Sequence, residues 1–330
     1  MTDLMKKIEI EVEVEIKEEE EREEEEKEEE EGEEEDEKEP VTDEEIEDAA
    51  LEAEHELKNC LYLHGRTSTE GLASAAGRVV RSLTDFLIKM ISNLKTTVTG
   101  IFKKIKRSEL QAFISSHRTN YMKLKNTEYS KLYKVMVEQY SFTETPSAVG
   151  SFFLSSFNSL GMKKRFDDIL EQYMVLNANL RGGDIDQAQA TIKRIEELNA
   201  EGIVKGVDKR LKELVVVRPP KKLGTIGDAF NSTEDIIDAV ETTLKGSGEL
   251  DIAMTISSRL EKLYKTFEKL GESLQVANTK GVVIGKLKGV TSTIKSTGTL
   301  LTTYAMMVQE YHHLEHYLTS VIDAGVKAGR

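Results

Sequence analysis

The charge of this chain changes sign at one point. Residues 1–70 hold 32 of the 60 Asp and Glu but only 8 of the 45 Lys and Arg, a net charge of −24. The other 260 residues hold 28 acids and 37 bases, an excess of nine positive charges. A stretch so rich in one charge has too little apolar surface to offset the entropy of ordering it, so the folded core must lie beyond it. The overall −15 is therefore the sum of two unlike parts. Such asymmetry points to an interaction tail or to nucleic-acid contact. The single cysteine, Cys60, excludes an intramolecular disulfide framework and a cysteine-rich zinc site. No run of 18 strongly apolar residues is present, which excludes a conventional spanning helix.

The leader reads in three pieces. Ile8, Ile10, Val12, Val14 and Ile16 alternate with glutamates at strand period, a pattern unlike a secretory signal. Lys17 to Glu39 packs 18 acids and 4 bases into 23 residues, too lopsided for the paired charges a single helix needs, and reads as disordered. Thr42-Asp-Glu-Glu45 then makes a capping box that opens a short amphipathic helix through Ile46, Ala50, Ala53 and Leu57.

Beyond Gly71 the pattern is helical, and the fold class expected is all-α, antiparallel helical bundles behind a disordered acidic leader. Apolar residues from Val79 to Ile105 recur every three or four positions and predict one amphipathic helix over 74–107. Its polar side carries Arg78, Arg81, Lys89, Lys95, Lys103, Lys104, Lys106 and Arg107 against Asp85 alone. A second helix runs from Ser108 through the Tyr121 region, and segment 128–142 fits helix or strand equally. Helices follow at 151–161, 163–180 and 184–199, with Asp184 as the N-cap of the last. Pro219, Pro220, Gly224 and Gly227 mark a boundary. The domains expected are thus a leader at 1–70, a basic helical domain at 71–217, a linker at 218–230 and a C-terminal bundle at 231–330. In that bundle Ser232 caps a helix, and longer helices lie near 249–276 and 283–323. The last places apolar residues from Leu287 to Ile322 at near-heptad spacing, interrupted by Thr297 and Glu315, and permits a homo-oligomer.

Catalytic motifs are weak. His312-His-Leu-Glu-His316 puts two imidazoles at i,i+4, a zinc-clamping spacing, and Glu310-Tyr-His-His313 fits a carboxylate-bridged metal motif. Neither has the further ligands its metal chemistry requires, so His312, His313 and His316 read as surface or bundle-rim residues and no cofactor is expected. Gly281-Val-Val-Ile-Gly-Lys286 is one residue short of a phosphate-binding loop. The chain has no Trp, and its aromatics sit at core spacing, so no base-stacking platform is evident.

The remaining feature is the junction itself. Ser68-Thr69-Glu70 precedes Gly71 at the charge switch. The same small-x-Glu pattern occurs at Ala50–Glu52, Ala239–Glu241 and Ser247–Glu249, so position rather than motif gives this copy its interest. An acidic leader opening on alternating Ile/Val–Glu, an S-x-E-G junction and a basic helix ending FKKIKRSEL together resemble the internal-head (inner capsid, core) proteins of large contractile-tailed phages. The resemblance covers the layout of the whole chain. It implies a non-enzymatic virion protein of the capsid interior whose leader is a propeptide, cut by the prohead protease as DNA is packaged. It also implies other capsid and core proteins as partners, and in some members ejection with the genome.

Simple electrostatics agrees in direction. DNA presents a phosphate every ~1.7 Å of helix axis, so it would repel the leader and attract the body through non-specific phosphate contacts. A membrane surface is a second expectation, because a helix with one basic and one apolar side also suits an anionic bilayer. A helical adaptor whose acidic tail docks basic partners is a third.

Overall fold

The computed structural model describes residues 69–215, 222–279 and 288–329. The expectations for the leader up to Ser68, including its disorder, fall outside them, as do Pro219, Pro220 and Gly281–Lys286. The described residues form an all-α body with one short ribbon. Its elements are α1 (Thr69–Lys103), α2 (Arg107–Lys125), α3 (Tyr129–Leu132), β1 (Met136–Glu138), α4 (Pro146–Leu160), α5 (Met162–Gly182), α6 (Ile185–Asn199) and α7 (Glu201–Leu214). Then come β2 (Leu223–Thr225), a 3-10 turn (Ile226–Asp228), α8 (Thr233–Leu244), α9 (Gly248–Thr279) and α10 (Lys288–Ala328).

Local signals set most of the helix ends. The Asp184 carboxylate accepts from the Gln187 amide at 3.1 Å to open α6, and the Ser232 hydroxyl accepts from the Asp235 amide at 3.0 Å to open α8. Gly161 (φ 54°) and Gly183 (φ 79°) take left-handed conformations on either side of α5, which only glycine adopts without strain. Ala200 does the same work between α6 and α7 at φ 49°, with a Cβ in the way. Ala200→Gly is expected to raise stability by about 0.5 kcal/mol, the relief of strain less glycine's extra chain entropy, measurable by urea unfolding.

The ambiguous segment 128–142 proves to be both helix and strand: α3, then β1, then Phe142 bridging to Val215. β1 pairs antiparallel with β2, Val137 opposite Gly224, and Val137 alone of the three β1 residues is buried. β2 lies within the expected linker, whose described part, 222–230, is accordingly part of the fold. Helices on both sides of 218–230 share one core, running from Leu87 to Ile322. Gly224 and Gly227, the described boundary residues, lie within this core's frame rather than between two bodies, because the apolar faces before and after them bury against each other.

α10 organises that core. Its 41 residues span about 60 Å, and it packs against α1, α2, α4, α6, α7, α8 and α9 and against β1. Val290, Ile294, Leu301, Tyr304, Val308, Tyr311, Leu318 and Ile322, the expected heptad face, are all buried within the chain. That face is therefore already covered without a second copy. α5 and α6, joined by a short turn, run antiparallel as a hairpin, where Arg165 reaches the Leu198 carbonyl and Asn179 reaches Thr191. Helices that meet through long connections are free to run parallel. Leu94 faces Gly298 and Phe102 faces Tyr304, so α1 runs alongside α10 in the same sense.

One of the two heptad interruptions is resolved by distant partners. Thr297 is fully buried; its hydroxyl sits 2.7 Å from the Tyr173 hydroxyl and donates to Asn199 Oδ1 at 3.0 Å. Asn199 in turn donates to the Ser296 hydroxyl at 2.6 Å. The polar groups of α5, α6 and α10 thereby satisfy one another.

Candidate functional site

The expected basic helix ends sooner than its periodicity suggested and starts earlier, at Thr69. α1 stops at Lys103, Lys104–Lys106 turn, and α2 begins at Arg107 from an extended Lys106 (φ −101°, ψ 122°). Four cations within five positions repel at helical spacing, and Ile105, 5 % exposed, is drawn into the core. Sequence periodicity runs through the break because Phe102, Ile105 and Leu110 all point inward on both sides of it. The result is a corner, pinned from below by Ile105, with Lys103, Lys104 and Lys106 exposed on its outer side.

The eight expected phosphate contacts divide. Lys95 pairs with Glu261 of α9 at 3.0 Å, drawing that carboxyl below its usual range, and Arg107 pairs with Asp251 of α9 at 3.4 Å. Both pairs are solvent-exposed and worth little to stability. Lys89, Lys103, Lys104 and Lys106 are exposed and, among the described residues, face no carboxylate. Arg78 and Arg81 lie on α1, with their side chains outside the description.

The apolar side of α1 is not free. Leu87, Ile91, Val98 and Phe102 are each at most 3 % exposed, buried where α1 meets α9 and α10. Ile88, half exposed, is the large apolar side chain that α1 turns outward among those described. A bilayer could use this face only after the bundle opened. Among the described residues no helix is long and apolar enough to cross a membrane.

At the junction, Thr69, Glu70 and Gly71 form the first turn of α1, and Ser68 lies outside the described residues. A first turn lacks i−4 partners for its amides and is the part of a helix most easily unwound. Of the other described copies, Ala239–Glu241 lies inside a helix, whereas Ser247–Glu249 enters a first turn as Thr69–Gly71 does. Ala239 and Val240 are buried within α8, Glu241 accepts from the Tyr121 hydroxyl at 2.5 Å, and Ser247–Glu249 runs into α9.

The three histidines diverge. His312 is buried, its Nε2 2.8 Å from Glu109 of α2 and its Nδ1 3.9 Å from Glu315. His313 lies 3.4 Å from Glu310, and His316 lies 3.1 Å from Glu138 of β1. Each imidazole thus faces a carboxylate of its own, and no group of three or more ligands converges among the described residues. Helical spacing brought His312 and His316 to one side of α10, but the elements packed there offer them different partners.

A groove of about 460 Å³ beside the first turn of α9 holds Lys163, Lys245 and Arg259 against Asp167, Glu249 and Asp251. Arg259 is paired with Asp167 and Asp251 with Arg107, so the groove concentrates no single charge. No family model, curated protein or solved structure matches this chain.

Proposed function

We propose that this chain is a non-enzymatic structural protein of a phage head interior, cut after Glu70 by a prohead protease. Its basic helical body then associates with packaged DNA or leaves with it. The observation that carries this reading is the α1–α2 corner, where Lys103, Lys104 and Lys106 stand exposed and unmatched on a rigid base. Three ammonium groups fixed together suit a run of phosphates, and the absence of a stacking platform in the sequence fits contact without base readout. The charge step supports the same reading, since removing residues 1–70 would take away 24 net negative charges and leave the excess of nine positive ones. Thr69–Gly71, in the first turn of α1, offer a protease a more readily unwound substrate than Ala239–Glu241 within α8. Interior capsid and core proteins are the partners this role entails. A membrane-surface role is less favoured, because Leu87, Ile91, Val98 and Phe102 already serve the core.

The triple variant Lys103→Glu/Lys104→Glu/Lys106→Glu tests the corner. Each lost phosphate contact is expected to flatten the slope of log affinity against log salt by about 0.9, so the body cut after Glu70 should lose about 2.7 from its slope. Affinity should fall equally for unrelated DNA sequences. An unchanged slope would remove the corner from the interface.

A further inference from the structure

The second heptad interruption, Glu315, has no counterpart of the Thr297 network. It is 1 % exposed, and neither carboxylate oxygen has a hydrogen-bond partner. His312 beside it is 4 % exposed, and its two ring nitrogens face different carboxylates, Glu109 on α2 and Glu315 on α10. The Nε2–Glu109 approach is short at 2.8 Å but out of hydrogen-bonding line.

We propose that Glu109, His312 and Glu315 form a proton-operated latch that holds α2 and the adjoining basic corner onto α10. A neutral imidazole has one N–H and one lone pair. Facing two ionised carboxylates, it leaves one of them against a lone pair, with a buried negative charge unmatched. One added proton removes the conflict wherever it resides. On His312 it makes both nitrogens donors, and on Glu315 it makes the carboxyl a donor to Nδ1 while Nε2–H serves Glu109. Burial favours the protonated Glu315 carboxyl, and losing that proton restores the conflict and loosens the contact. Glu109 lies two residues beyond Arg107, so the latch sits directly under the corner.

The surroundings favour retention. Burial raises the Glu315 carboxyl above its ordinary value, with His312 and Tyr311 opposing more weakly. A carboxyl raised on folding contributes stability that is full below about pH 4.3, its unfolded value, and is lost as pH climbs through the folded one. Other titratable groups lie on the elements packed around the neighbouring turns of α10. Glu249 at the start of α9 acts on Tyr311, Asp228 of the 3-10 turn acts on Tyr317, Glu138 of β1 meets His316, and the Tyr140 ring lies tilted against that of Tyr317. The Tyr311 hydroxyl is directed to the Thr243 carbonyl of α8. The charged groups among these are acids and strengthen proton retention, while Lys106 and Arg107 of the corner, beside Glu109 in the chain, oppose it.

The test is hydrogen exchange of α2 amides in the intact chain between pH 6 and 9, corrected for the intrinsic pH dependence of exchange. Protection in α2 should fall with rising pH, approaching tenfold per pH unit once the pair begins to release its proton. Glu315→Gln, which fills the same space and does not titrate, should abolish that fall. Identical profiles for wild type and Glu315→Gln would overturn the latch. Should that variant not fold, Glu109→Gln at the exposed end gives a second reading. Without that negative charge nearby, Glu315 releases its proton more readily, so loosening should begin at lower pH. An unmoved onset would equally overturn the proposal.

Discussion

Cleavage after Glu70 is expected to convert a chain that DNA rejects into one that DNA binds. At about 50 mM salt, the cut body should bind a random duplex at least a hundredfold more tightly than the intact chain. The reasoning is electrostatic. Exposed Lys89, Lys103, Lys104 and Lys106 give about four phosphate contacts, and hence a slope near −3.6 in log affinity against log salt. Raising salt from 50 to 200 mM should then weaken the body's binding by about two orders of magnitude. The intact chain adds 24 net negative charges to the same molecule, which opposes approach to a polyanion at every distance within the screening length. Fluorescence anisotropy with labelled duplex over a salt series measures both quantities. Equal affinity before and after cleavage would sink the charge-switch reading. The companion measurement is the amino-terminal peptide map of purified particles, where a mature terminus at Gly71 is expected. Intact residues 1–70 in the particle would remove processing from the proposal while leaving DNA contact open.

The largest expected loss of stability comes from Phe157→Ala. Phe157 is 2 % exposed and stands at the centre of an aromatic cluster, 5.4 Å from the Tyr311 ring, 6.2 Å from Tyr304 and 6.2 Å from Phe153. Two of these contacts are edge-to-face, the geometry ring quadrupoles favour. Truncation leaves a cavity between α4 and α10, and such changes cost about 3–5 kcal/mol. Because α10 touches almost every other helix described, the loss should register as one cooperative shift of the urea midpoint. Ile88→Ala, on an exposed position of α1, should by contrast stay within about 0.5 kcal/mol. A comparable loss at both sites would mean that the core does not centre on α10.

Helix placement was readable where local chemistry decides it. Asp184, Ser232, Gly161 and Gly183 act on their own neighbours, and the helix ends they set fall close to where the sequence put them, whereas α4 begins at Pro146, five residues before its expected start. α7 escaped notice because its entry is Ala200, a residue that gives no breaker signal yet takes the left-handed conformation. The corner escaped for a related reason. Apolar spacing stays helical across it, and what breaks α1 is the pull of the core on Ile105 together with repulsion among the lysines around it. The candidate contacts were visible as residue types, but Lys95 and Arg107 found acids on α9, more than 140 positions away, and among the described residues Lys89, Lys103, Lys104 and Lys106 did not.

Composition and period alone determined that the charge changes sign near residue 70, that the body is helical, and that its last helix carries a nearly continuous apolar face. Those properties depend on each residue and its near neighbours. Whether 218–230 separates two domains or lies within one was decided by long-range burial, since strand β2 and the helices after it complete the core begun before it. The same is true of the two polar interruptions of α10, which look alike in sequence. Thr297 meets Tyr173 and Asn199 and is satisfied, whereas Glu315 meets a histidine already facing another carboxylate. A buried polar group is neutral or costly according to what the rest of the fold brings to within about 3 Å of it, and no local pattern contains that information.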